Sequence, residues 1–310
     1  MTAATKTPRR KAEGLFSNSS RARRALLAAI ATIASFSISA TLLVGASADA
    51  GAASSSNTLT VTSGEYTYKF SGNAKPGWVK IRFVNGGVEA HMMAVIKLKP
   101  GVTAKQLEKA ALSENEEAFE KIIASGEISG IPDLLSPNES TTTIAQLKAG
   151  HYGVLCFVPA PDGALHIAHG MVEVFDVKGS KSSFKPPRDG VQDVTITDTA
   201  ITIPSTGIPK TATVKVTNDG SDTHSFTLIR LNSGSTIDAA FAYFDAFFET
   251  GTASGTAPGT VVGGVSSLSP GGIAYVELDL APGRYGYVST SGEAPNDDVS
   301  KGLKGEFEVR

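Results

Sequence analysis

The strongest constraint on this chain is internal: one stretch of it matches another 133 positions further on, in a single register. Residues 75–87 (KPGWVKIRFVNGG) lie over residues 208–220 (IPKTATVKVTNDG). His91 then falls on His224, Leu98 on Leu231, Gly101 on Gly234 and Thr103 on Thr236. Leu135-Ser136-Pro137 falls on Leu268-Ser269-Pro270, and Leu147, Gly150, Tyr152 and Gly153 fall on Leu280, Gly283, Tyr285 and Gly286. A match this long means a tandem pair of similar units, and 310 residues is a fitting length for two domains. The expected boundaries are 57–178 and 191–310. Residues 179–190 between them are polar and include Pro186 and Pro187, a composition suited to a semi-extended linker.

Each unit shows the same order of elements. Val79, Ile81 and Phe83 alternate with Lys80 and Arg82, the period of a half-buried strand. Asn85-Gly86-Gly87 breaks the run as turn chemistry requires. Residues 91–98 are expected to resume the strand, with His91, Met93 and Val95 on one face, and His224, Phe226 and Leu228 in the second unit. A helical insert follows. Thr103 is positioned to cap residues 104–112, Ser113 to cap the next helix through Glu116, and Ser235-x-x-Asp238 to open the helix of the second unit. There Phe241, Phe244, Phe247 and Phe248 share one face, a stripe expected to pack on the sheet. Two final strands follow, at 151–158 and 171–177 in the first unit and at 284–289 and 303–309 in the second. Tyr152 and Tyr285 match across the units and suit the corner tyrosine of a sandwich. The expected fold class is all-β: two tandem Greek-key β-sandwich domains, each with a helical insertion.

The N-terminal region differs from the rest in composition. Residues 25–48 (ALLAAIATIASFSISATLLVGASA) are an apolar run just after Arg21, Arg23 and Arg24, ending on small residues. Basic head, apolar middle and small-residue exit form a secretory signal peptide over 1–50, with a flexible leader over 51–56. The product is expected to be secreted or extracytoplasmic and cell-surface associated. Membrane attachment is expected only if the segment stays uncleaved, since the run is long enough to span a bilayer. Residues 1–50 carry seven basic side chains and two acidic ones, which leaves 21 basic against 28 acidic in the body. An acidic body lacks the footprint of a nucleic-acid binder, and that class of partner is excluded.

Exported proteins use cysteines in pairs, yet this chain has only Cys156. A lone thiol outside the cell is either buried or holds a metal. Its neighbours in sequence decide between these. His91 begins a strand after the Asn-Gly turn, Cys156 lies near the end of a later strand, and His166-x-x-x-x-Met171 leads into the last one. One thiolate, two imidazoles and a weak axial thioether are the donors that a type 1 copper site requires.

At these residues the chain resembles the cupredoxin family of blue copper proteins, over about 57–178, and by duplication in the fold of 191–310. The resemblance implies His91, Cys156 and His166 as equatorial ligands and Met171 as the axial one, in one type 1 copper site confined to the first domain. The family places two to four residues between the Cys and the second His, whereas nine separate Cys156 from His166. His169 also lies in this loop, but the four-residue gap from His166 to Met171 is the one that matches the family. The ligand atoms of His91, Cys156 and His166 should then converge to within about 4 Å.

In the second unit Cys156 aligns with Ser289, Met171 with Leu303, and the region of His166 with Asp297-Asp298-Val299. That unit cannot hold a type 1 centre, and His224 is expected to be structural. Five histidines in all, with no His-x-His pair, are too few for a multicopper oxidase or a nitrite reductase. The sequence therefore predicts a protein that is not an enzyme: an exported copper-binding electron carrier or copper-holding module. The alternative is a non-catalytic surface-binding module built on a metal-free sandwich. No feature names the redox partner or surface ligand.

Overall fold

A computed structural model describes residues 57–310 apart from 114, 125–127 and 293–296. The expected signal peptide (1–50) and leader (51–56) lie outside the described residues. In the first half the order is β1 (Thr58–Gly64), β2 (Thr67–Gly72), β3 (Gly77–Asn85), β4 (Ala94–Leu98), α1 (Ala104–Ala111), α2 (Glu116–Glu120), β5 (Ile131–Pro132), β6 (Ser140–Leu147), β7 (Gly150–Leu155) and β8 (Val172–Val177). The second half continues with β9 (Val191–Thr197), β10 (Ala200–Thr202), β11 (Thr211–Asn218), β12 (His224–Leu231), α3 (Ile237–Thr250), β13 (Gly259–Leu268), β14 (Ile273–Asp279), β15 (Gly283–Val288) and β16 (Lys304–Val309).

The pairing scheme repeats along with the sequence. In the first half β1 pairs antiparallel with β2 and parallel with β3, and β3 pairs antiparallel with β6. In the second half β9, β10, β11 and β14 repeat these relations. A second layer, β4-β7-β8, has its counterpart in β12-β15-β16. The two layers of the first half face one another across a core in which Val61, Ile81 and Phe83 meet Val95, Tyr152 and Val154. Alternation explains this: Val79, Ile81 and Phe83 are at most 2% exposed, and each such burial contributes about 1.5–3 kcal/mol. Both corner tyrosines close on the main chain four residues upstream, Tyr152 Oη donating to Lys148 O at 2.6 Å and Tyr285 Oη to Ala281 O at 2.9 Å.

The halves share their sheets. β6 pairs antiparallel with β14, so one eight-stranded sheet runs β10-β9-β11-β14-β6-β3-β1-β2 through both. β5 likewise joins the sheet of the second half beside β13. Trp78 meets Tyr275 edge-on at 5.6 Å, and Lys80 Nζ lies 2.7 Å from Glu277 Oε1. The core cluster that holds Val95 and Cys156 also takes in Ile229, Leu231 and Val261 from the second half. Among the described residues, no helix is long and apolar enough to cross a membrane.

Several local expectations are corrected. His91 to Met93 do not continue a strand. His91 makes an isolated bridge to Leu135, and β4 begins at Ala94, whereas β12 runs unbroken from His224. Thr103 caps α1 as expected, with reciprocal bonds to Gln106. Asn115 rather than Ser113 caps α2, because the Ser113 hydroxyl is already engaged with Ala110 O at the end of α1. Thr236, the repeat partner of Thr103, rather than Ser235, caps α3 through Ala239 N. The phenylalanine stripe of α3 is half-buried against the core cluster that spans both halves, and so it seats the helix on their shared core.

Candidate metal centre

The site is assembled from one turn and one loop. Asn85 ends β3, and its side-chain amide donates to Glu89 O at 2.8 Å and Leu135 O at 3.1 Å, while its Oδ1 accepts from Gly87 N. That turn delivers His91 beside Leu135, with reciprocal main-chain bonds of 3.0 and 2.9 Å. Gly87 has to be glycine here, because a Cβ would sit 2.6 Å from His91 Nε2 and 2.3 Å from Glu65 Oε1.

Cys156 follows β7, and its amide donates to Met171 O at 3.2 Å. The nine residues between Cys156 and His166 are absorbed by a small hairpin. Pro159 bridges Leu165, Ala160 N donates to Ala164 O at 2.7 Å, and Gly163 turns the tip at φ 83°. The returning arm runs back along the outgoing one, His166 N bonding to Val158 O at 2.9 Å and Ile167 N to Cys156 O at 3.0 Å. A 3-10 turn, His166–His169, then ends at Gly170 and places Met171 N on His166 O at 3.0 Å.

The structure brings the expected ligand atoms of His91, Cys156 and His166 together. His91 Nδ1 lies 3.0 Å from His166 Nδ1, and Cys156 Sγ lies 3.4 Å from His166 Nδ1. The donor atoms of all three residues fall within 4.8 Å of one another, and each side chain is fully buried. Met171 is buried in the same core cluster as Cys156 and is tied to both Cys156 and His166 through its main chain. His169 stands outside: its Nε2 meets Asp162 Oδ1 at 3.2 Å and its ring stacks on Tyr66. Met93 packs in the core. His151 also stands apart, held by Asp176 at 2.7 Å and by Val102 O at 2.7 Å.

Burial sets the protonation of this cluster. Loss of solvation lowers the pKa of His91 to about 4, with the adjacent His166 adding to the effect, and it lowers that of His166 to about 4. Burial likewise pushes the Cys156 thiol up to about 12. At neutral pH the imidazoles are neutral and the thiol keeps its proton, which a bound metal ion would displace. The two rings turn Nε2 outward to carboxylates: His166 Nε2 is 2.8 Å from Glu89 Oε2, and His91 Nε2 is 3.8 Å from Glu65 Oε1. Neither contact has the geometry of a hydrogen bond. The Nδ1 atoms of the two rings are thereby left turned toward one another and toward Cys156 Sγ. Sequence reasoning missed Glu65 and Glu89. The signal was present, because the same 133-position register puts acidic residues at Asp198 and Asp222.

The second half fills the equivalent position with a carboxylate. Asp298 N and O contact Ser291 and Leu303 in the main chain, and Ser289 N bonds to Leu303 O at 2.9 Å, as Cys156 N does to Met171 O. His224 Nδ1 lies 2.6 Å from Asp298 Oδ2, which also accepts from Ser289 Oγ, and His224 Nε2 lies 3.0 Å from Asp198 Oδ1. His224 is thus hydrogen-bonded on both sides. Although burial opposes it, bonding to Asp298 and Asp198 raises its pKa.

No family model and no curated protein matches the chain. Solved structures do. Reduced auracyanin from Roseiflexus castenholzii is 18% identical over 40% of this chain and 99% of that chain, with a TM-score of 0.27. A multicopper oxidase is 14% identical over 82% of this chain and 88% of that one, with a TM-score of 0.23. The copper-containing nitrite reductase of Thermus scotoductus SA-01 is 14% identical over 82% and 61%, with a TM-score of 0.24. Likenesses this distant leave the metal assignment to rest on the chain's own residues. The expectation that the chain is not an enzyme is corrected: a multicopper oxidase and a nitrite reductase stand among the matches, and that exclusion is withdrawn.

Proposed function

We propose that this is an exported copper protein whose first half holds one type 1 copper ion at His91, Cys156 and His166, with Met171 as the weak axial ligand, for electron transfer or copper holding. The observation that carries this reading is the convergence of two imidazole Nδ1 atoms and one thiol sulfur at a fully buried point. Two nitrogens and a soft sulfur form a donor set that suits copper. When bound, copper supplies a one-electron couple. Glu65 and Glu89 face the outer nitrogens of the rings, while the apolar surroundings of Cys156 keep water from its sulfur.

On this reading the chain is a duplicated Greek-key sandwich of the cupredoxin type, with domains at 57–178 and 191–310 and a linker at 179–190. The second copy has lost its ligands, with Ser289 and Asp298 in place of Cys156 and His166. Export rests on the signal pattern of residues 1–50. The test is a Cu(II) titration of the mature protein, residues 51–310. One equivalent should bind, His169→Ala and His224→Ala should leave that stoichiometry intact, and His166→Ala should weaken binding at least tenfold. Equal affinities for the His166→Ala and wild-type proteins would overturn the assignment.

A further inference from the structure

His91 and His166 are both fully buried, so something must stand between the metal position and solvent. On the His166 side that is Tyr66. Its ring meets the His166 imidazole edge-on at 5.0 Å and stacks on its other neighbour, His169, at 4.6 Å. Three rings are therefore layered outward from the cluster: His166, Tyr66, His169. The outermost is pinned by Asp162 at 3.1 Å, and the Tyr66 hydroxyl reaches Glu89 Oε1 at 3.4 Å, the carboxylate that faces His166 Nε2.

The backbone at Tyr66 is unusual in the same sense. It occupies the β1–β2 turn at φ 57°, a left-handed conformation that favours glycine or asparagine and that aromatic residues rarely adopt. A strained residue at a site is a pointer to function. The second half offers a comparison: Thr199 stands at the repeat position of Tyr66 without a positive φ, and Asp298 takes the position equivalent to His166.

We infer that Tyr66 is the residue that governs access of small exogenous ligands to the metal position, with His169 and Asp162 holding its ring in place. This rests on the copper reading above. Access then requires the Tyr66 ring to leave the His166 face, and a side chain without a ring leaves the position open.

The test uses the Cu(II)-loaded mature protein and azide, followed through the cysteine-to-copper absorption band. Tyr66→Gly and Tyr66→Asn both suit the backbone conformation, so one remains informative if the other fails to fold; Tyr66→Phe keeps the ring. Azide should leave the band of the wild-type and Tyr66→Phe proteins unchanged. In the Gly and Asn variants it should shift or bleach the band at a concentration at least tenfold lower. Equal azide sensitivity in the wild-type and Gly or Asn proteins, with the band present in all, would overturn the role of Tyr66 alone. Absence of the band from copper-loaded wild-type protein would overturn the copper reading and the gate with it.

Discussion

Asp298 holds in the second half the position that His166 holds in the first, and it binds His224 at 2.6 Å where His166 approaches His91 at 3.0 Å. The Asp298 carboxyl group thus fills the second half's counterpart of the metal position. Asp298→Asn removes a buried hydrogen-bonding partner of His224 and should destabilise the protein by about 3 kcal/mol, read as a fall in the denaturant midpoint. The pH dependence has a definite sign. The pKa of His224 is raised in the folded state, so its contribution is complete below about 6.5 and is lost as pH rises through the raised value. Asp298→Asn should reduce that alkaline loss.

The same correspondence makes the second position recoverable. Ser289→Cys combined with Asp298→His restores the thiol and the second imidazole of the first half on equivalent backbone, with Leu303 remaining where the first half has Met171. Metal analysis of the double variant should give two copper ions per chain instead of one. A stoichiometry that stays at one, with the fold intact by circular dichroism, would show that backbone correspondence alone does not make the site.

In the metal-free first half the sign is opposite. His91 and His166 each have a pKa near 4, below the ordinary 6.5, so between these values the unfolded chain binds more protons. Stability should fall as pH drops from about 6.5 to about 4. Copper competes with those protons, so loading should move the loss to lower pH. Thermal melts of the apo and loaded proteins across this range provide the comparison.

The hairpin between Cys156 and His166 should be dispensable for the cluster. Pro159 and Leu165 are already bridged across antiparallel arms, so replacing residues 160–164 with a two-residue Asn-Gly turn leaves six residues between Cys156 and His166 and keeps the returning arm in place. Copper affinity should stay within about tenfold, a change of about 1.4 kcal/mol. A loss of binding in a folded shortened protein would mean that the hairpin tip supports the site directly. Gly251, at the end of α3, packs near Pro159 and Gly163, so α3 is the element most exposed to that change.

Much of this architecture is legible in the sequence because the repeat and the alternation of Val79, Ile81 and Phe83 report the same strands twice. Cys156, His166 and His91 are legible by residue type and order. The spacing from Cys156 to His166 reads as a departure, because sequence distance does not reveal that Ala160 and Ala164 fold the excess back on itself. β6 is harder to see, because the run Thr141-Thr142-Thr143 breaks the apolar alternation. β1 alternates cleanly, Thr58, Thr60 and Thr62 against Leu59 and Val61, but it lies ahead of Lys75, where the matched stretch begins, so the repeat does not report it. With β1 and β2 ahead of the match, their turn and Tyr66 at its tip are hidden as well. The seating of α3 on a core shared by both halves is a tertiary choice that its own periodicity does not encode.

The most direct measurement is the visible spectrum of the mature protein after addition of one equivalent of Cu(II). An intense thiolate-to-copper band near about 600 nm, present in His169→Ala and absent from Cys156→Ser, is the expected result for a His2Cys copper centre. No such band, with Cys156 unreactive to thiol reagents until the protein is denatured, would contradict the assignment and leave Cys156 as a buried side chain of a metal-free sandwich.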